Sequence, residues 1–156
     1  MTKRGKKLET RVNKCNLGYR QKRLAVIQQI NTPVLLTQKG VVSKTSTVDY
    51  IGVIGSEGKA ISFDAKETNS KTSFPLSNIK DHQLLFLDYW ESCGGDAFFL
   101  VHFKTLYMDR AFRTPLSAVH KYTDNKEGRR SIPINDFKES WLVPIDNYLN
   151  LINDHE

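Results

Sequence analysis

The stretch Ser46-Thr47-Val48-Asp49-Tyr50, followed by Ile61-Ser62-Phe63-Asp64-Ala65-Lys66-Glu67, decides how this chain folds. Between the two lies Gly55-Ser56-Glu57-Gly58, whose glycines suit the loop of a β-hairpin. Residues 50–54 and 59–66 are therefore expected to pair antiparallel. Alternate side chains of a strand share a face, so Asp64 and Lys66 point one way while Phe63 and Ala65 point the other. A carboxylate and an ammonium are thus presented together. With Asp49 at the start of the partner strand, its carboxylate can converge with that of Asp64 on one hard cation. Magnesium is the natural candidate, because it accepts a few carboxylate oxygens and keeps several waters for chemistry. Lys66 would then stand beside an attacking water.

Outward from this hairpin, Leu8, Val12, Cys15 and Tyr19 recur at helical spacing and predict an amphipathic helix over about 7–20, with Lys and Arg on its outer face and Gly18 near its end. Short apolar runs at 25–30, 34–36 and 41–42 read as strands, turned by Asn31-Thr32-Pro33 and Gln38-Lys39-Gly40. A helix is expected over Leu76 to Trp90, with Pro75 in its first turn, Gln83 as a polar exception on its apolar stripe, and Gly94-Gly95 as its end. Residues 97–103 and 105–108 read as two further strands, and Thr114-Pro115 opens a short helix through Tyr122. A polar loop at 124–130, a strand at 131–134, a helix at 135–140 and a terminal helix from about Asp146 complete the reading. This order indicates an α/β or α+β domain of three layers, helices flanking a central mixed β-sheet, built as one domain over 1–156.

Composition agrees with a packed core. The chain has 156 residues, 39% of them hydrophobic, with eight Phe, six Tyr and two Trp. No apolar run approaches the ~18 residues that span a bilayer, and the basic N-terminus lacks the apolar stretch of a secretory signal, so a cytoplasmic protein with no membrane partner is expected. Cys15 and Cys93 make neither a disulfide framework nor a zinc site, and His82, His102, His120 and His155 show no ligand spacing. Gly55 and Gly58 are followed by no Gly-Lys-Ser or Gly-Lys-Thr, which excludes a phosphate loop. The net charge of +6 is distributed unevenly. Residues 1–23 hold nine Lys or Arg against Glu9 alone, whereas the remainder holds 14 basic and 16 acidic residues. Such a segment marks either a phosphate-binding surface or a solvated helix face.

A longer resemblance selects between these readings. The segments Arg4-Gly5-Lys6-Lys7-Leu8-Glu9, Ala25-Val26-Ile27, Thr32-Pro33-Val34, Phe63-Asp64-Ala65-Lys66-Glu67-Thr68, Lys71-Thr72-Ser73-Phe74-Pro75-Leu76, His82-Gln83 and Gly128-Arg129-Arg130-Ser131-Ile132 resemble, in order, the RecU family of Holliday junction resolvases. That family lies within the PD-(D/E)XK nuclease superfamily, whose bare pattern of one acid and then Asp-x-Lys the chain also matches. The resemblance implies a restriction-endonuclease-like fold and a homodimer that cuts four-way DNA junctions with magnesium, or manganese in its place. Paired nicks would leave 5′-phosphate ends, in the cytoplasm of a bacterial or phage-infected cell. It implies that Asp49 and Asp64 bind the metal, that Lys66 positions or activates water, and that Glu9 and Gln83 join the catalytic set. Arg4, Lys6, Lys7, Arg11, Lys14, Lys71, Arg129 and Arg130 would meet DNA.

Three departures accompany the resemblance. Asp64 stands where the family usually has Glu, Val48 where it commonly has Thr, and the projecting strand region at about 32–48 looks shorter than in cellular members, as in a compact phage-type relative. The competing readings are a nuclease of the same fold acting on flaps, single strands or duplex, and a DNA-binding module that cuts nothing.

Overall fold

Helix α1 (Lys3–Gln21) opens the chain in this computed structural model, which describes residues 3–32, 34–43, 47–124 and 128–152. Leu8, Val12 and Tyr19 form its buried stripe while Lys6, Lys7 and Lys14 are exposed, as the periodicity predicts. The helix exceeds the expected 7–20 at both ends. Gly5 and Gly18 weaken a helix without stopping it, and the chain turns instead at Arg23, whose φ is 58°.

Strands β1 (Ala25–Gln29), β2 (Val34–Thr37), β3 (Gly40–Ser43), β4 (Tyr50–Ile54), β5 (Lys59–Thr68) and β6 (Ser73–Pro75) precede helix α2 (Asp81–Ser92). Then come β7 (Asp96–Lys104), β8 (Asp109–Pro115), helix α3 (Leu116–Thr123), β9 (Ser131–Pro133) and β10 (Leu142–Val143). The main sheet has the order β1-β4-β5-β7-β8-β10, and within it β5 and β7 run parallel while the other pairs are antiparallel. A parallel pair needs a crossover, which α2 supplies. The strand serving both kinds of neighbour is covered on both faces, so Ile61, Ser62, Phe63 and Asp64 are all buried.

Side-chain alternation divides the core in two. Ile61, Phe63, Phe98 and Leu100 meet Leu8, Val12 and Tyr19 of α1 together with Ile145, Tyr148 and Leu149. On the other face Phe99, Val101, Phe103 and Phe112 meet Leu87 of α2 and Leu116, Val119 and Tyr122 of α3. The result is the three-layer, mixed-sheet arrangement expected of a restriction-endonuclease-like fold. Gly52 is required where β1 and β4 approach, since a Cβ there would lie 2.1 Å from the Val26 carbonyl oxygen.

Four local expectations are corrected. The second helix starts at Asp81 rather than Leu76, because Leu76–Asn78 is a single 3-10 turn and Ile79 and Lys80 are extended. Residues 105–108 are a turn closed by the Thr105 N–H on the Met108 carbonyl at 2.9 Å, and the returning strand is β8. The expected helices at 135–140 and from Asp146 are 3-10 turns at Ile134–Asp136, Glu139–Trp141 and Ile145–Asn147. Segments this short cannot nucleate an α-helix, and buried Phe137, Ile145 and Tyr148 hold them in place.

Two two-stranded sheets, β2–β3 and β6–β9, lie outside the main sheet. The β2–β3 hairpin forms a separate two-stranded sheet, with Val34, Leu35, Leu36, Val41 and Val42 all exposed. Residues 33 and 44–46 of the expected projecting region lie outside the described residues, as do 125–127 of the polar loop and His155. On α3, His120 reaches Asp88 of α2 at 2.8 Å and Asp124 at 3.2 Å. Its pKa is raised above 6.5, first by the Asp88 hydrogen bond. Because the folded value lies above the unfolded one, this clasp stabilises fully below about pH 6.5 and is lost as pH rises through the folded pKa. Urea midpoints should therefore fall above pH 6.5 in the wild type, and the fall should be shallower in His120→Gln.

Candidate active site

Asp49 immediately precedes β4, and the pairing of Tyr50 with Phe63 brings it beside Asp64 of β5. Both carboxylates are held by backbone N–H groups of the facing segment: the Asp49 N–H donates to Asp64 Oδ1 at 2.8 Å, and the Ala65 N–H donates to Asp49 Oδ2 at 3.0 Å. These bonds fix both carboxylates by main chain rather than by mobile side chains. Lys66 extends along the same face of β5, its Nζ 2.8 Å from Asp64 Oδ2 and 2.9 Å from Gln83 Oε1. Gln83 sits in the first turn of α2, where its Oε1 also accepts the N–H of the N-cap residue Lys80 at 3.2 Å. The expected polar exception on the apolar stripe is thus a helix cap that also holds the lysine.

Electrostatics mark the acids as crowded. Asp64 is fully buried, and its Oδ2 has the Lys66 ammonium as an ion-pair neighbour but no hydrogen bond. Burial, and next the charge of Asp64, push the Asp49 carboxyl up to about 7, against the lowering effects of the Ala65 N–H and Lys66. Glu9 adds a further upward push on Asp49, which places this residue of α1 within electrostatic reach of the pair. Among the described residues no group of three or more His, Cys, Asp or Glu side chains is gathered tightly enough to hold a metal unaided. Two hard carboxylates, one oxygen of which accepts no hydrogen bond, nevertheless suit a cation that takes one or two carboxylates and retains water, as magnesium does.

The other candidates are dispersed over the surface. Lys6, Lys7, Lys14 and Lys71 are exposed, and Lys6, Lys7, Thr10 and Arg11 line a shallow groove on α1. Arg4 belongs to α1, but its side chain lies outside the described residues. Arg11 is already engaged, with Nη1 3.1 Å from Asp109 and Nε 3.4 Å from Asp146. Arg129 and Arg130 are exposed beside β9 and line a groove of about 680 Å³ with Pro75, Leu76, Ile79 and Asp81. Sequence reasoning missed the partners of His102, which bridges Glu67 and Asp109. They lie 35 and 7 residues away along the chain, so no local motif signals them.

The family model described as Recombination protein U matches residues 3–153. The chain belongs to the RecU family. The Holliday junction resolvase RecU of Pediococcus pentosaceus is 37% identical over 151 residues, covering 88% of this chain and 73% of that protein. Its counterpart in Lactococcus lactis subsp. lactis is 32% identical over 169 residues, covering 97% of this chain and 78% of that protein. Among solved structures, Hjc, a Holliday junction resolvase from Archaeoglobus fulgidus, aligns with a TM-score of 0.45 at 11% identity, over 83% of this chain and 89% of Hjc. Among the described residues of this RecU-family chain, no helix is long and apolar enough to cross a membrane.

Proposed function

We propose that this chain is a divalent-metal-dependent endonuclease of one nuclease domain that resolves four-way DNA junctions as a homodimer in the cytoplasm. The observation carrying this reading is the intact set of Asp49, Asp64 and Lys66 on one hairpin, with Gln83 holding the lysine. Asp49 and Asp64 would hold magnesium, or manganese, with Glu9 as a third acid. Such a cation supplies Lewis-acid polarisation of a phosphoryl oxygen and a more acidic water. Lys66 holds a proton and a positive charge at Nζ, where it orients the water and offsets charge developing on the phosphate. Gln83 keeps that ammonium from swinging away. A module that binds DNA without cutting it has no use for a buried and a half-buried acid kept beside a lysine at this cost in desolvation.

Labelled four-way junction, duplex, flap and single strand, each with magnesium or chelator, test the reading. Paired nicks confined to the junction, leaving 5′-phosphate ends and absent with chelator, are expected. Equal cutting of flaps or single strands would assign a broader nuclease, and no cutting of any substrate would sink the proposal.

Two further expectations follow from the surface. Dimerisation suits a two-fold substrate, and the exposed apolar side chains of the β2–β3 hairpin are suited to cover by a partner. Light scattering at micromolar concentration should give twice 17.9 kDa. The lysines of α1 should act through counterion release, so changing Lys6 and Lys7 together to Gln should weaken junction binding. It should also flatten the logarithmic salt slope by about one to two units, read by fluorescence anisotropy. An unchanged slope would return the helix face to a solvating role.

A further inference from the structure

A chain of four ionisable side chains crosses the α1 face of the sheet, and neither the acid pair nor the lysine uses it. Glu67 directly follows Lys66 on β5, but its side chain turns to the opposite face and is 6% exposed. Its Oε1 lies 3.1 Å from Nδ1 of His102 on β7, a residue 1% exposed. His102 Nε2 in turn lies 2.5 Å from Oδ1 of Asp109 on β8. Asp109 Oδ2 then meets Arg11 Nη1 of α1 at 3.1 Å, with Lys104 at 3.8 Å and Asp146 on the far side of Arg11. Taking Glu67 and His102 of this set out of water costs more than filling their space with apolar side chains would. Its directionality is what an apolar filling lacks.

Helix geometry shows what that directionality can do. Successive residues lie about 100° apart, so Glu9 and Arg11 fall on opposite flanks of the stripe formed by Leu8, Val12 and Tyr19. Asn13, one turn beyond Glu9, meets Gln29 of β1 at 2.9 Å, so that flank faces β1 and β4, while Arg11 faces β8. Apolar packing alone resists roll about the helix axis only weakly, being non-directional. A roll of about 10° moves a carboxylate about 6 Å from the axis by about 1 Å, a displacement on the scale that costs catalysis about a hundredfold.

We propose that His102 and Asp109 are positioning residues: through Arg11 they fix the roll of α1, and so set Glu9 against Asp49 and Asp64. This rests on the reading of those acids as a magnesium site. It is tested with purified full-length Asp109→Ala and His102→Gln, each alone and combined with Glu9→Gln. Magnesium binding without DNA is measured by calorimetry, junction affinity in chelator by anisotropy, and cleavage at saturating magnesium. Expected are a roughly tenfold weaker magnesium affinity and a ten- to hundredfold slower cleavage, with junction affinity within about twofold of wild type. Adding either substitution to Glu9→Gln should cause little further loss, since both act through one carboxylate. Wild-type magnesium affinity in Asp109→Ala, or losses that multiply with Glu9→Gln, would overturn the proposal and leave the chain of ionisable groups a structural feature. If His102→Gln fails to fold, the more exposed Asp109 decides alone. A wild-type protein that binds no magnesium would remove the metal-site reading and this inference with it.

Discussion

Asp64→Asn should abolish junction cleavage, by about a thousandfold or more, the scale on which loss of a principal stabiliser of transition-state charge is felt. Lys66→Ala and Asp49→Asn should do the same, each leaving junction binding in chelator largely intact, because the basic surface lies elsewhere. Gel assays under single-turnover conditions, with anisotropy alongside, read the two quantities separately. Wild-type cleavage by either aspartate variant would sink the assignment of the acids. Asp49→Asn carries a second, opposite expectation: in chelator it should raise the melting temperature. An ionised Asp49 is disfavoured by burial and by Asp64, and its displacement from 3.8 to about 7 sets a ceiling of about 4 kcal/mol on the gain above pH 7. The gain should shrink as pH falls below 7, where the wild-type carboxyl takes up a proton itself. A site that is more stable when Asp49 is silenced is one maintained for activity.

Phe63→Ala should destabilise the protein by about 3–5 kcal/mol. Phe63 is fully buried on the strand that carries Asp64 and Lys66, stacked on Tyr50 at 4.8 Å and on Phe98 at 4.9 Å, with Tyr148 tilted against it at 5.2 Å. These rings support from behind the strand that presents the acids. Urea unfolding in magnesium-free buffer measures the cost directly. A loss below about 1 kcal/mol would mean that the cavity collapses and that α1 carries more of the support than the stacked rings do.

The hairpin and its acids were legible in the sequence because both signals are local. Gly55 and Gly58 have φ of 70° and 67°, as a turn between strands requires, and the alternation from Ile61 to Lys66 sorts core from site without further information. Helix α1 was legible for the same reason. Where the chain relies on distant partners, pattern reading failed. Tyr148 is fully buried against Phe63 and Asn16, and that packing, not any periodicity, shapes the segment expected to be a terminal helix. Thr105 to Met108 looked like a strand because Leu106 and Tyr107 are apolar, yet these are 85% and 87% exposed at a hairpin tip. Gln83 stood out as anomalous on its stripe, and the reason became visible only when α2 was placed against β5. Glu67, His102, Asp109 and Arg11 come from three strands and a helix, a grouping that only the fold assembles.

The crossover between β5 and β7 also orders the assembly of the protein in time. The β4–β5 hairpin closes a short loop, whereas pairing β5 with β7 requires the whole stretch from 69 to 95 to return on itself at a larger entropic cost. Loop closure therefore predicts that Asp49 and Asp64 come together in the quick local step and that Gln83 arrives with the slow one. The same division operates in reverse in the native state. Transient opening of α2 would release Lys66 from Gln83 while the backbone bonds that hold the two acids stay closed, so amide exchange in the first turn of α2 should report Lys66 coming loose before the fold itself gives way.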